Sequence, residues 1–282
     1  MADDTPTQGL TVFLFRALAS GSSGNAYLLR TSKATLLFEA GLRLPRLQKA
    51  LAAEDVRPQD LTAVFVSHEH RDHCLSAGDL TEEYGIPIFA NEDVLRAAGL
   101  HGFRDACVLP VGRPHLFGDI EVTTFPVSHD ASRPIGYTVR QGRRTITIAT
   151  DLGHVTGEVS EAIRLADLVV LESNHDLDLL HQGRYPPHLR RRVSGPRGHL
   201  SNLQASAVLT RGLRDDRVEV WLAHLSKENN TPAIALSTAK SMLKRVGMQG
   251  VQVDVALRDR PSLRWTGEPR PRQLSLFDGF GA

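Results

Sequence analysis

The segment "LTAVFVSHEHRDH" constrains the fold more than any other stretch of the chain. A short apolar run stops at Ser67, and four groups able to bind a metal follow within six residues: His68, His70, Asp72 and His73. The run is bounded like a strand, and its lack of alternation implies cover on both faces. A loop at the end of such a strand can turn successive side chains toward one point. His68 and His70 then reach one cation while Asp72 and His73 reach a second beside it.

The same placement recurs downstream. His129 in "PVSHD", Asp151 in "ITIATD" and His224 in "VEVWLAH" each follow or close an apolar strand. Five imidazoles and two carboxylates are enough for two divalent cations with one shared carboxylate. Two such cations keep an excess of positive charge over two aspartates, which suits an anionic substrate. A pair about 3.5–4 Å apart lowers the pKa of a water between them and clamps phosphoryl oxygens during in-line displacement, so the set points to phosphate ester hydrolysis. An isolated histidine is usually a satisfied core or surface group, but seven candidates at strand ends are poorly explained that way.

Strands read at 11–18, 26–31 and 35–41 open the chain, and a helical pattern at 43–56 precedes the ligand-bearing strand. Helices are expected near 76–84, 92–98, 156–165, 201–212 and 231–246. Further strands are expected at 86–90, 106–109, 115–127, 135–140, 144–149, 167–173, 217–224 and 251–257. This succession predicts an α/β fold of sheets covered by helices. Composition turns to Pro, Arg and Gly from about Arg258, so residues 11–257 read as one globular domain, 1–10 as a flexible N-terminus and 258–282 as a flexible tail. No apolar run approaches the roughly 18 residues that span a bilayer, and "MADDTPTQG" does not read as a secretory leader, so a cytoplasmic protein with no membrane partner is expected. Two cysteines, Cys74 and Cys107, are too few for a disulfide framework.

The net charge of +1 hides a local bias. No acidic residue falls between Asp178 and Asp215, whereas Arg184, Arg190, Arg191, Arg192, Arg197, Arg211 and Arg214 do. A charge run is most often a solvated face. Arg190, Arg191 and Arg192, with Arg184 and Arg197 nearby, lie between two further site candidates, Glu172 and His199, and that position favours contacts to a phosphate backbone.

"HEHRDH" with His129, Asp151 and His224 resembles the metallo-β-lactamase superfamily over about residues 11–257. The resemblance implies a four-layer αββα sandwich with a dinuclear site at its edge. "LASGSSGNAYLL", "VSHDASRPIGY", "ATDLGHV", "LVVLESNHD", "GHLSN" and "HLSKENNTP" are similar to the YycJ or WalJ-like branch, which implies a 5′ to 3′ exonuclease on DNA with a role in mismatch repair. By that similarity His68, His70 and His129 hold one metal and Asp72, His73 and His224 the other, with Asp151 between them. Mn²⁺, Zn²⁺ and Fe²⁺ all suit these donors. Glu39 stands where the family usually carries an aspartate that braces the ligand loop.

Ribonuclease Z, a relative, implies that a histidine placed as His199 is the proton donor to the leaving oxygen, oriented by an acidic residue placed as Glu172. A structural or phosphate-binding role for His199 stays open. Ser201 and Asn202, at an expected helix start, are candidate substrate contacts. With the arginines at 184, 190, 191, 192 and 197 they form the expected DNA-binding set. His154 and His175 read as supporting groups, and Asp130 either orients a ligand or is an exposed turn residue. At the other end, "QLSLF" resembles the peptide by which bacterial replication and repair proteins dock on the sliding clamp, with Gln273, Leu274, Leu276 and Phe277 as its anchors. The rival readings are an RNA-cleaving enzyme, a small-molecule phosphodiesterase or thioesterase of the same fold, and a non-catalytic clamp adaptor.

Overall fold

The computed structural model describes residues 13–268. The first sheet begins with strands β1 (Phe13–Ala19), β2 (Ala26–Thr31) and β3 (Thr35–Phe38), continuing with β4 (Ala63–Phe65), β5 (Ile88–Ala90) and β6 (Ala106–Val108). The second takes β7 (His115–Phe117), β8 (Ile120–Pro126), β9 (Ile135–Gln141), β10 (Arg144–Ala149), β11 (Leu168–Glu172), β12 (Glu219–Ala223) and β13 (Gln252–Val255). A last strand, β14 (Arg264–Trp265), returns to pair with β1 at the edge of the first sheet. The orders are β14-β1-β2-β3-β4-β5-β6 and β13-β12-β11-β10-β9-β8-β7. Each sheet is antiparallel on one side and parallel on the other, where helical crossovers join neighbours.

Strand alternation explains the layers. Phe15, Phe38 and Phe65 of the first sheet and Tyr137, Val170 and Trp221 of the second belong to one central core, with Phe15 on Trp221 at 5.3 Å and Phe38 on Tyr137 at 5.1 Å between ring centres. The opposite faces, such as Leu28, Leu37 and Val64, pack under helices α1 (Leu44–Ala52), α3 (Ala77–Tyr84) and α4 (Glu92–Ala97). Val169, Leu171 and Leu222 pack under α5 (Gly157–Leu165), α8 (Asn202–Gly212) and α9 (Pro232–Arg245). Three short helices, α2 (Arg71–Cys74), α6 (Leu177–Gln182) and α7 (Pro187–Val193), lie in the loops. The result is the αββα sandwich, with its strands buried on both sides.

The helix starts follow their caps. Thr156, Ser201 and Thr231 accept from the third residue of α5, α8 and α9, and Ser201 with Gln204 forms a full capping box. Two boundaries differ from the sequence reading. The run at 115–127 is a hairpin, folded at Gly118, whose φ of 61° permits the turn. The ordered domain also continues past Arg258: Trp265 is buried and meets Phe13 edge-on at 5.6 Å. A single large ring with a hydrophobic shelf to cover outweighs the Pro- and Arg-rich composition around it. Residues 1–10 and the "QLSLF" motif at 273–277 lie outside the described residues. No helix among those described is long and apolar enough to cross a membrane.

Candidate metal centre

Both sheets deliver side chains to one edge of the sandwich. From the first, the chain leaves β4 into the loop carrying His68 and His70, and α2 carries Asp72 and His73. The loop is clamped from behind. Asn25 donates to the Asp72 carbonyl from both its backbone N (2.8 Å) and its Nδ2 (3.2 Å), and Ala40 N donates to the His73 carbonyl at 2.7 Å. A Cβ on Gly41 would stand 1.6 Å from the Asp72 carbonyl oxygen, so this approach requires glycine. The Gly/Ser loop ending at Asn25 thus secures the ligand loop, a role its composition did not disclose.

From the second sheet come His129 after β8, Asp151 after β10, Glu172 ending β11 and His224 after β12. Asp151 and His224 take left-handed backbone, with φ of 59° and 52°, as does Glu39 with 65°. Such a step at a strand end breaks the alternation and aims the side chain into the gap between the sheets.

His68, His70 and His129 each offer a donor atom within 4.8 Å of the others, and Asp72, His73 and His224 do the same. Asp151 connects the two groups. Its Oδ2 lies 3.1 Å from His73 Nε2, and its Oδ1 lies 3.6 Å from His129 Nε2 and 3.3 Å from His224 Nδ1. The outer ring nitrogens are held. Nδ1 of His68 bonds the Ser67 hydroxyl (2.9 Å), that of His129 donates to the Gly198 carbonyl (2.9 Å), and that of His224 donates to Glu172 Oε1 (2.9 Å). Glu39 Oε2 lies 3.2 Å from His73 Nδ1 and accepts from Ser67 N, so the longer side chain does reach the ligand loop. Histidines that bind metals are oriented in this way. Asp151 Oδ2, fully buried, faces His73 Nε2, and His68 Nε2 faces His70 Nδ1 at 3.1 Å. Buried imidazole nitrogens and a carboxylate oxygen that face one another across a common gap fit divalent cations.

The electrostatics agree. Burial opposes charge on His73 and His224, but the carboxylates, Asp151 foremost, outweigh it and raise both, His224 to about 10. Burial opposes ionisation of Glu172 too, yet His199 and His224 hold it down at about 2. Burial pushes His68 and His129 below the usual imidazole value, with His73 adding to the effect at His68. The carboxylates therefore stabilise positive charge at the centre of the cluster, while His68 and His129 favour the neutral form a ligand needs.

His199 stands at the rim. Its Nδ1 donates to Glu172 Oε1 at 2.8 Å, and 20% of its side chain is exposed, against 0% for Glu172. Glu172 Oε2 accepts from Leu152 N (2.8 Å) and Leu200 N (3.1 Å). A cavity of about 190 Å³ opens over the cluster, bounded by Ser22, Asp72, His199 and His224 and, from α7, Leu189 and Arg192. Arg192 Nε donates to Asp130 Oδ2 at 2.6 Å across this opening, so Asp130 is neither a free turn residue nor only a ligand support.

The expected DNA-binding residues divide. Arg184, Arg191 and Arg197 are exposed, Arg197 also donating to the His129 carbonyl, and Arg190 donates to the His181 carbonyl. Ser201 and Asn202 are each 1% exposed and fully engaged, Ser201 as the α8 cap and Asn202 with Ser173 and Asn230. Their hydrogen bonds hold the ends of β11, β12 and α8 together, which corrects the expectation that they touch substrate. His154 is a tether to the Pro196 carbonyl. His175 is buried behind Glu172, with burial lowering its pKa to about 4. Asn25, Asn174 and Asn230 escaped the sequence reading, since a buried asparagine has no local pattern of its own.

Residues 35–211 match the family model described as the beta-lactamase superfamily domain. Exodeoxyribonuclease WalJ of Streptococcus pneumoniae serotype 2 (strain D39 / NCTC 7466) is 35% identical over 253 residues, covering 88% of this chain and 94% of that protein. Exodeoxyribonuclease YycJ of Bacillus anthracis is 34% identical over 237 residues, covering 83% and 90%. In structure, the metallo-β-lactamase fold protein YhfI from Bacillus subtilis superposes with a TM-score of 0.70 at 17% identity, covering 91% of this chain and 99% of that one. The matched region holds the "HEHRDH" loop, Asp151 and the Glu172–His199 pair, and the αββα fold brings them to one edge: the chain belongs to the metallo-β-lactamase superfamily.

Proposed function

We propose that the chain is a metal-dependent exodeoxyribonuclease that removes nucleotides from the 5′ end of DNA during repair, mismatch repair included, in the cytoplasm. The observation that carries this reading is the pairing of two inward-facing donor triads, joined by Asp151, with a rim histidine held by a buried carboxylate. The similarity to two proteins named exodeoxyribonucleases supports the substrate.

His68, His70 and His129 would hold one divalent cation, Asp72, His73 and His224 the other, with Asp151 shared; manganese or zinc suits these donors, and iron does too. When bound, the pair supplies Lewis acidity that activates water and offsets charge on phosphoryl oxygens. Asp72, 22% exposed toward the cavity, would hold its cation while keeping a carboxylate edge toward the attacking water. As the bond from phosphorus to the 3′ oxygen breaks, His199 Nε2 gives a proton to that oxygen, while Glu172 fixes the ring through Nδ1. Arg192, in the cavity wall, and Arg184, Arg190, Arg191 and Arg197, near it in the chain, would meet the phosphate backbone.

Digestion of a duplex labelled at either end, with added Mn²⁺, tests the function. Stepwise loss from the 5′ end, absent in Asp72→Asn, is the expected result. Turnover of RNA or of a generic phosphodiester with intact DNA would reject the substrate. His199→Ala is expected to lower kcat on DNA about a hundredfold with bound metal retained. The defect should shrink for a p-nitrophenyl phosphodiester, whose leaving group needs no proton; an equal defect on both would remove the proton-donor role.

We further assign Gln273, Leu274, Leu276 and Phe277 to the sliding clamp, as a tether that raises the local concentration of the enzyme on DNA. Replacing Leu276 and Phe277 with alanine is expected to abolish clamp binding in a calorimetric titration while digestion of short DNA continues. Undiminished binding would dismiss the tether.

A further inference from the structure

Beside the candidate metal centre lies a second cavity, of about 270 Å³, whose walls include Ser20, Leu225, Pro232, Arg258 and Arg260. Ser20 is two residues from Ser22, and Leu225 follows His224; Ser22 and His224 line the cavity over the ligands. With about 3.8 Å between successive Cα atoms, the two spaces are neighbours.

Strand order decides which side the second cavity occupies. Arg258 follows β13, which lies beyond β12 and His224 at one edge of the second sheet. Helix α7 and the segment after it are tied to the loop that follows β8, through Arg192 to Asp130 and Arg197 to the His129 carbonyl. In the sheet, β8 and β13 flank β9, β10, β11 and β12, so Asp151 after β10 and His224 after β12 stand between two arginine-bearing walls.

The second wall is held in place. Arg258 Nη2 donates to the Leu225 carbonyl at 3.2 Å, and the side chain passes over Gly21, where a Cβ would lie 3.1 Å from Arg258 Cγ. Arg258 Nε is buried and has no hydrogen-bond partner. Asp259, the acidic group in the wall, is paired with Arg46 at 3.5 Å, and Arg260 makes no ion pair among the described residues. The N-terminal end of α9, opened by Pro232, adds to the positive field.

We propose that this cavity is a phosphate subsite for the nucleic-acid strand as it continues past the cleaved bond, with the exposed Arg260 as its principal charge and the guanidinium of Arg258, held at the Leu225 carbonyl, as the neighbouring one. The subsite rests on the nuclease reading and extends it: a strand held at α7 on one side and at Arg258 on the other lies across the ligands in a fixed register.

Steady-state digestion of single-stranded DNA across a salt series, with Mn²⁺ and the full chain, tests the subsite. Arg260→Glu, at an exposed position, is expected to raise KM about tenfold with kcat held within about twofold, and to make the dependence of log KM on log salt shallower by about 0.7 for each phosphate no longer neutralised. Arg258→Gln should do the same, and in both variants kcat/KM on a longer strand relative to a dinucleotide should fall. If Arg258→Gln lowers Tm sharply, Arg260→Glu alone decides. Arg143→Ala, at the far end of β10, is the control expected to match the wild type. If Arg260→Glu matched that control in KM, salt slope and length ratio, the subsite would be overturned and the nuclease reading left standing. A wild-type chain inert on DNA would overturn both.

Discussion

Asparagine at position 151 is expected to lower kcat by about a thousandfold or more and to leave the protein short of its full metal complement. The substitution keeps the size of the side chain, so lost packing is not the cause. What disappears is one negative charge at the joint between the two donor triads. Asp151 Oδ2 faces His73 at 3.1 Å, while Oδ1 lies within 3.7 Å of His129, His199 and His224. No other carboxylate occupies that joint among the described residues: Glu172 lies behind His199 and His224, and Glu39 lies behind His73. An amide can accept from one side only and presents hydrogens to the other, where a cation or an imidazole N–H stands. Elemental analysis after gel filtration, alongside kcat at saturating Mn²⁺, checks both halves. Two bound metals with undiminished turnover would show that Asp151 is not shared.

Glutamine at position 172 should be nearly as damaging, although Glu172 belongs to neither triad. Its carboxylate accepts four hydrogen bonds, from His199 and His224 through Oε1 and from Leu152 N and Leu200 N through Oε2. Glutamine has one acceptor. Whichever way its amide points, two donors face an NH₂ group, and each buried donor left unpaired costs about 1–3 kcal/mol. We expect kcat to fall several hundredfold as both rings lose their orientation, together with a lower Tm. If the variant folded with wild-type Tm and turned over DNA normally, the four-bond arrangement would have no functional weight.

Much of this site was legible because its ligands stand at the ends of apolar strands, where period-two burial stops and a polar side chain has no structural reason to be. His68, Asp151 and His224 could each be found that way. Other parts depend on sheet order, which no local window carries. Asn25 matters because β2 brings it beside the Asp72 loop, and Arg258 because β13 lies next to β12. Ser201 and Asn202 misled for the converse reason. A helix start beside a candidate histidine looks like an anion site, but Ser201 spends its hydroxyl on its own cap and Asn202 is enclosed by Ser173 and Asn230. Trp265 shows the limit of composition as a guide to where a domain ends.

The left-handed backbone at Glu39, Asp151 and His224 sets local strain against the contacts that these side chains make. Each such residue is held in a conformation about 1–2 kcal/mol above its preferred one. Glycine would relax all three positions and erase the groups that aim into the gap. That relief is outweighed: Glu39 accepts from Ser67 N and faces His73, Asp151 faces His73, and His224 donates to Glu172, so glycine at 39, 151 or 224 should lower Tm although it relaxes the backbone. The same three residues thus strain the backbone locally and hold the two sheets' contributions to the site together.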